Sequence, residues 1–351
     1  MKETSNVRLG EELDEKGLSG FLSSELRLPA EEIAIRQFPA GSSNLTYLVE
    51  ADGREFVLRR PPFGNRVKTA HDMAREFKVL SRLSPIYPAA PRPVAYCADE
   101  KVIGAEFYLM ERKRGLILRG GVPESLEKSA ELREPVCKAF IRNLADLHAI
   151  DFEAAGLGDF GKPEGYTQRQ VVGWSQRYFN AKTDEWDELE EAIFWLNNNV
   201  PDDDAASLVH NDYKFDNVML DPEDLTRIVG VLDWEMATIG SPMMDLGTTL
   251  GYWMSPDNGA DLMSMPFNPK VLMDAVTRLD LAEMYSEVSG RDISNVAYYY
   301  VFGTVKIAVI AQQIYFRFVR GYTSDERFAR FNRFVQSLGR IAAGAIGSGR
   351  I

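Results

Sequence analysis

With 351 residues the chain is longer than a single core normally fills, so two lobes with a ligand cleft between them are expected. Its composition, 45% hydrophobic and 26% charged, is that of an ordinary globular protein. The net charge of −12 argues against general nucleic-acid binding, which needs basic surface, and two cysteines are too few for a disulfide framework or a cysteine-ligated zinc site.

The first residues, Met1-Lys-Glu-Thr-Ser-Asn, lack the basic and apolar regions of a signal peptide, so a cytoplasmic protein is the expectation. A helix is predicted over about residues 10–27. Strands follow at 31–38, 44–51 and 54–60, separated by the turn signals Pro39-Ala-Gly-Ser-Ser and Ala51-Asp-Gly53. Two successive hairpins imply an antiparallel sheet. A helix at about 68–83 carries Met73, Phe77 and Leu80 on one stripe. Prolines from Pro85 to Pro93 end it, and strands near 93–98 and 106–111 complete a small α+β lobe over residues 1–110.

A hinge is placed at 111–115, and helical periodicity dominates residues 116–351. Phe140, Leu144 and Leu147 mark a core-facing helix; others are predicted at about 167–199, 243–254, 269–288, 292–320 and 325–343. The apolar span between Asp292 and Arg317 is interrupted by Lys306, leaving runs too short to cross a membrane, so it reads as a buried core helix. Cys97 and Cys137 read as small core residues, and His148 as a satisfied core histidine. The first 110 residues nearly balance their charges, so almost all of the negative excess falls in the second lobe. That excess suits a cationic ligand, or is simply a solvated surface.

The chemistry concentrates in Leu208-Val-His-Asn-Asp-Tyr-Lys-Phe-Asp-Asn-Val-Met-Leu220 and Val231-Leu-Asp-Trp-Glu235. Asp212 precedes Asn217 by five residues and Asp233 by twenty-one, with short strand-like segments on both sides. That is the layout of a phosphoryl-transfer site: one carboxylate faces an acceptor hydroxyl, while an amide oxygen and a second carboxylate grip magnesium on nucleotide phosphates. His210 reads as a backbone holder, Asp245 as a brace for the loop, and Lys214 as either a phosphate contact or a solvated lysine. With only His71, His148 and His210, a histidine-rich metallohydrolase site is hard to build.

These motifs resemble the aminoglycoside phosphotransferase family, small-molecule kinases related in fold to protein kinases. The wording of Leu58-Arg-Arg-Pro-Pro62, Phe107-Tyr-Leu-Met-Glu111, Val231-Leu-Asp-Trp-Glu235 and Asp245-Leu-Gly247 is most similar to kinase-like domains fused to certain acyl-CoA dehydrogenases. The resemblance spans roughly residues 30–320. It implies a bilobal kinase-like α+β fold, with a small antiparallel-sheet lobe and a larger, mainly helical one. It also implies Asp212 as the residue that accepts the hydroxyl proton, Asn217 and Asp233 as magnesium ligands, and ATP as phosphoryl donor, with GTP not excluded.

Val57 and Arg59 share a strand face at the interval where kinases place an adenine-roofing residue and the phosphate-gripping lysine, so Arg59 stands in the lysine place. The competing reading is an exposed edge arginine. Glu76, beside the apolar stripe of its helix, is the natural partner of Arg59. Gly41, Ser42, Ser43 and Asn44 form either a phosphate-capping turn or a plain hairpin, and Met110 and Glu111 at the hinge are counted among the nucleotide-binding positions. Asn211 replaces a more usual glycine.

Only eight residues separate Asp233 from Pro242, too few for a peptide-seating activation segment, so a small-molecule hydroxyl acceptor is favoured. Arg112, Lys113, Arg114 and Arg119 suit an anionic acceptor such as a hydroxyacyl-CoA; an exposed basic turn is the alternative. An aminoglycoside kinase and a nucleotide-binding pseudokinase with a regulatory role also stay open. No nucleic-acid or membrane partner is expected, and the sequence leaves the oligomeric state undefined.

Overall fold

In the computed structural model, which describes residues 3–29, 32–39, 44–63, 72–119, 121–202, 205–254, 258, 260–263, 267–323 and 325–351, the chain groups into two units. One comprises Met1–Gly115 with Val229–Ala237, the other Leu116–Ile228 with Thr238–Ile351.

In the first unit, helix α1 (Glu15–Leu26) starts where the Asp14 carboxylate accepts the Gly17 N–H. A five-stranded antiparallel sheet follows, built from β1 (Ile33–Gln37), β2 (Leu45–Ala51), β3 (Arg54–Arg60), β4 (Pro93–Cys97) and β5 (Phe107–Glu111) in the order β1-β2-β3-β5-β4. Asp52 and Gly53 both take positive φ, the two-residue turn that matches the twist of a tight hairpin. Alternation sorts β3 into two layers. Phe56 and Leu58 join Leu18, Leu22, Tyr47 and Val49 in one core cluster, so Val57 and Arg59 face the other side. On helix α2 (Met73–Leu83) the buried residues are Met73, Glu76, Val79, Leu80 and Leu83. The helix begins later than predicted because the Asp72 side chain accepts the Arg75 N–H and caps it; residues 64–71, His71 among them, lie outside the described residues.

The second unit contains α3 (Glu124–Lys128), α4 (Arg133–His148), α5 (Tyr166–Ala181), α6 (Asp187–Asn198), β6 (Ser207–Val209) and β7 (Val218–Leu220). Strand β8 (Ile228–Val231) leads into the residues grouped with the first unit. Then come β9 (Thr238–Gly240), antiparallel to β6, and α7 (Pro242–Tyr252), α8 (Ala260–Met263), α9 (Lys270–Met273), α10 (Arg278–Ser289), α11 (Val296–Val319) and α12 (Phe331–Ser348). The helix predicted over 167–199 is two helices. At the break Lys182 is extended, and the Gln312 amide donates to the Ala181 carbonyl (2.8 Å), satisfying an end that would otherwise demand continuation. A capping box between Thr277 and Asp280 likewise splits the segment 269–288.

Helix α11 is buried along most of its length, as read, and among the described residues no helix is long and apolar enough to cross a membrane. It packs on α7 through Gly247, Gly251 and Gly303. A Cβ placed at Gly303 would overlap the Gly247 carbonyl, and one at Gly247 the Tyr299 carbonyl, so the two backbones touch. Cys97 and Cys137 are buried and free.

Candidate functional site

In the first unit the Arg59 guanidinium gathers three carboxylates. Its Nη2 lies 2.8 Å from Asp233 Oδ1 and 3.8 Å from Glu235 Oε2, and its Nε lies 3.4 Å from Glu76 Oε2, the partner expected from the sequence. The Asn44 amide donates to Glu235 (2.7 Å), and the Trp234 N–H points at Glu76 Oε1 (3.3 Å). Val231 N–H to Ala89 O (2.8 Å) fixes the segment that delivers Asp233, which itself takes φ 68°. Burial works against the charge on Arg59, but Glu76 and Asp233 more than reverse it, so the guanidinium stays ionised. Burial pushes the Glu76 carboxyl up, with Arg59 pulling it back. Arg59 is therefore neither exposed nor solvated. An Arg59→Lys variant keeps the charge but loses the fork; a loss of about 2 kcal/mol in denaturant unfolding is expected, the worth of one charge-assisted bond.

Val57 opposes Met110 in the β3–β5 register, and both are nearly buried. The Glu111 side chain pairs with Arg92, whose hydrogen bond lowers its pKa. Gly41, Ser42 and Ser43 lie outside the described residues. The basic run after the hinge is largely neutralised where it stands: Arg112 pairs with Glu55 and Glu3, Arg114 with Glu55, and Lys113 Nζ donates to the Pro88 carbonyl (2.6 Å). Arg119, in the second unit, binds the Asp216 carbonyl (2.9 Å).

In the second unit the loop after β6 brings Asp212, Lys214 and Asn217 together. Lys214 Nζ lies 2.9 Å from both Asp212 oxygens, the Tyr252 hydroxyl donates to Oδ1 (2.7 Å), and Asn217 Nδ2 donates to Oδ2 (2.8 Å) and to the Asp212 carbonyl (2.9 Å). Burial alone would raise the Asp212 pKa; Lys214, then Tyr252, outweigh it and lower the value, so the carboxylate is ionised at neutral pH. Both Asn217 bonds end on acceptors and so consume its nitrogen, which leaves the amide oxygen as the group open to a cation.

The loop is gripped from beneath. Asp245 of α7, fully buried, accepts the backbone N–H groups of His210 (2.6 Å) and Asn211 (2.7 Å) and meets His148 Nε2 (3.1 Å), whose other ring nitrogen bonds Tyr285 (2.7 Å). His148 is thus a satisfied core residue. His210 Nδ1 takes the Asp212 N–H (3.2 Å), a backbone role as read. Asn211 sits at φ 65°, the conformation glycine would adopt at least cost, and is held on every side: Asp245 takes its N–H, Lys306 Nζ donates to its carbonyl (2.6 Å), and the Tyr166 hydroxyl meets its amide (3.0 Å).

Burial would raise the Asp245 pKa, but the His148 bond and charge outweigh it and the value falls. Its contribution to stability is therefore complete above about pH 4, the unfolded value, and is lost as pH falls through the lower folded one. Asp245→Asn turns an NH2 toward a backbone donor; a loss of about 2 kcal/mol at pH 7 is expected, together with a shallower acid limb of stability against pH.

Tyr252, Tyr166 and Lys306 escaped the sequence reading of the site. Only Lys306 left a signal, a lone charge in an otherwise apolar helix.

The family model described as "Phosphotransferase enzyme family" matches residues 34–264, most of the chain. This chain belongs to that phosphotransferase family. It is 33% identical to acyl-CoA dehydrogenase family member 11 of Gallus gallus, over 95% of this chain but 44% of the relative, so it spans less than half of that protein. Among solved structures, a candidate aminoglycoside phosphotransferase from Ralstonia eutropha JMP134 is 28% identical, with a TM-score of 0.78 over 95% of this chain and 98% of the other. A thermostable aminoglycoside phosphotransferase variant, solved with AMP-PNP and hygromycin B, is 14% identical with a TM-score of 0.60 over 94% and 98%, which shows the fold. The chain has the kinase-like α+β fold, a small antiparallel sheet with a mostly helical remainder.

Proposed function

We propose that this phosphotransferase moves the γ-phosphoryl group of ATP to a hydroxyl of a small metabolite, with magnesium. The observation that carries the reading is the loop around Asp212: a carboxylate kept ionised by Lys214 and Tyr252, beside an asparagine whose amide nitrogen is tied to that same aspartate. Asp212 orients the acceptor hydroxyl and receives its proton as the oxygen–phosphorus bond forms and the bond to the departing ADP breaks. Its lowered pKa makes it a weak base, which suits a loose transition state in which the proton leaves late.

Asn217 and Asp233 are the proposed magnesium ligands. Their donors are all oxygen, as a hard cation prefers. Among the described residues no three or more His, Cys, Asp or Glu side chains gather into a metal cage, so the ion would complete its shell with phosphate oxygens and water. When bound, magnesium neutralises charge on the β- and γ-phosphates. Arg59, oriented by Glu76, is assigned to the phosphates, Lys214 to the transferred group, Val57 and Met110 to the adenine face, and Glu111 and Asn44 to the nucleotide's border.

For the acceptor, the likeness to an acyl-CoA dehydrogenase family member supports a hydroxylated acyl-CoA. The basic cluster lends this little, since Arg112 and Arg114 are already paired. ATP consumption across a library of hydroxylated metabolites, hydroxyacyl-CoAs and aminoglycosides included, tests the proposal. Tight ATP binding with no turnover on any acceptor would instead indicate a regulatory pseudokinase.

A further inference from the structure

Lys306 is 1% exposed and lies at the middle of α11, where an uncompensated ammonium costs several kcal/mol. Among the described residues no carboxylate forms an ion pair with it. Its hydrogen bond goes to the carbonyl of Asn211, the positive-φ residue immediately before Asp212, and its other near neighbour is the face of Trp174, 5.6 Å away. A methionine would fill the same volume without the desolvation cost, so the position bears a penalty that packing does not require.

We propose that Lys306 is a positioning residue: its ammonium pins the Asn211 peptide in the left-handed conformation that aims Asp212 at the acceptor, acting against Asp245, which holds the N–H of the same residue. The proposal rests on the reading of Asp212 as the residue facing the acceptor. Chain geometry explains why two anchors are needed. A non-glycine residue at positive φ returns readily to a relaxed conformation unless its peptide groups are fixed, and a rotation there would swing the Asp212 side chain away. Tyr166 grips only the Asn211 side chain, whereas Asp245 and Lys306 grip the backbone on both flanks.

The charged groups around Lys306 are Asp212 and Lys214 from the loop, Asp245 from α7 and Arg177 from α5. Burial pulls its pKa down to about 8, with Asp212 and Asp245 opposing a further fall, so the pin weakens within the ordinary working range of pH.

Two readouts test this. Lys306→Met is expected to lower the kcat of ATP turnover by about tenfold or more while leaving the KM for ATP unchanged, because orientation and not nucleotide binding is lost. Hydrogen exchange followed by NMR is expected to show the protection of the Asn211 amide, relative to amides within α7, falling between pH 7 and 9 in the wild-type protein and low throughout in the variant. A folded Lys306→Met protein with wild-type kcat overturns the proposal, as does equal Asn211 protection in the two proteins. Should the variant not fold, the wild-type series alone decides, and protection flat across that range counts against the pin. An Asp212→Ala control separates this from the function itself: turnover that survives it refutes the role of Asp212, while the exchange data still judge Lys306.

Discussion

Replacing Asp212 with alanine is expected to reduce phosphoryl transfer by roughly two to four orders of magnitude, the usual contribution of a positioned acid–base group. Thermal unfolding should change little. The Asp212 side chain is mostly covered, but its partner Lys214 still reaches solvent and keeps a cation–π contact with Tyr252 at 4.6 Å, so removing the carboxylate strands no charge in the core. Asp212→Asn separates shape from basicity, since it can still meet Tyr252 and Asn217 but cannot take a proton. Steady-state kinetics on an identified acceptor, with nucleotide affinity measured in parallel, provides the check. Unaltered turnover in the alanine variant would remove Asp212 from the mechanism.

Gly303→Ala is expected to produce the largest loss of stability of the variants considered, at or beyond the upper end of the roughly 1–3 kcal/mol typical of overpacking. The added methyl would meet the Gly247 carbonyl and the Thr248 Cα, backbone atoms that cannot rotate aside, so α7 and α11 must part. Because α7 carries Asp245 and α11 carries Lys306, that separation also loosens both backbone anchors of Asn211. A lowered urea midpoint with an accompanying fall in kcat is therefore anticipated, whereas alanine at Gly344, where an added Cβ meets nothing within 4 Å, should alter neither. Comparable midpoints for the two variants would refute the close-packing account.

What the sequence disclosed followed the range of the interaction involved. The strand alternation of Phe56, Val57, Leu58 and Arg59, and the placement of Glu76 one helix later, are local patterns, and the ion pair they imply is present at 3.4 Å. The spacing of Asp212, Lys214 and Asn217 is likewise local, and their side chains meet. The break between α5 and α6 was hidden because its cause, Gln312, lies 131 residues away from the carbonyl it satisfies. The ion pairs of Arg112 and Arg114 were hidden in the same way, since their partners Glu3 and Glu55 lie far away in sequence. Asn211 drew attention as a substitute for glycine, yet nothing near it in sequence announces the three helices that hold it.

The return of Val229–Ala237 to the N-terminal unit has a genetic consequence. Asp233 and Glu235, two of the three acids surrounding Arg59, are encoded far downstream of the strand that carries the arginine. A fragment ending at Gly115 would thus leave that arginine with Glu76 alone. The two units of this chain cannot be shuffled as independent cassettes by a single crossover, and must be inherited together.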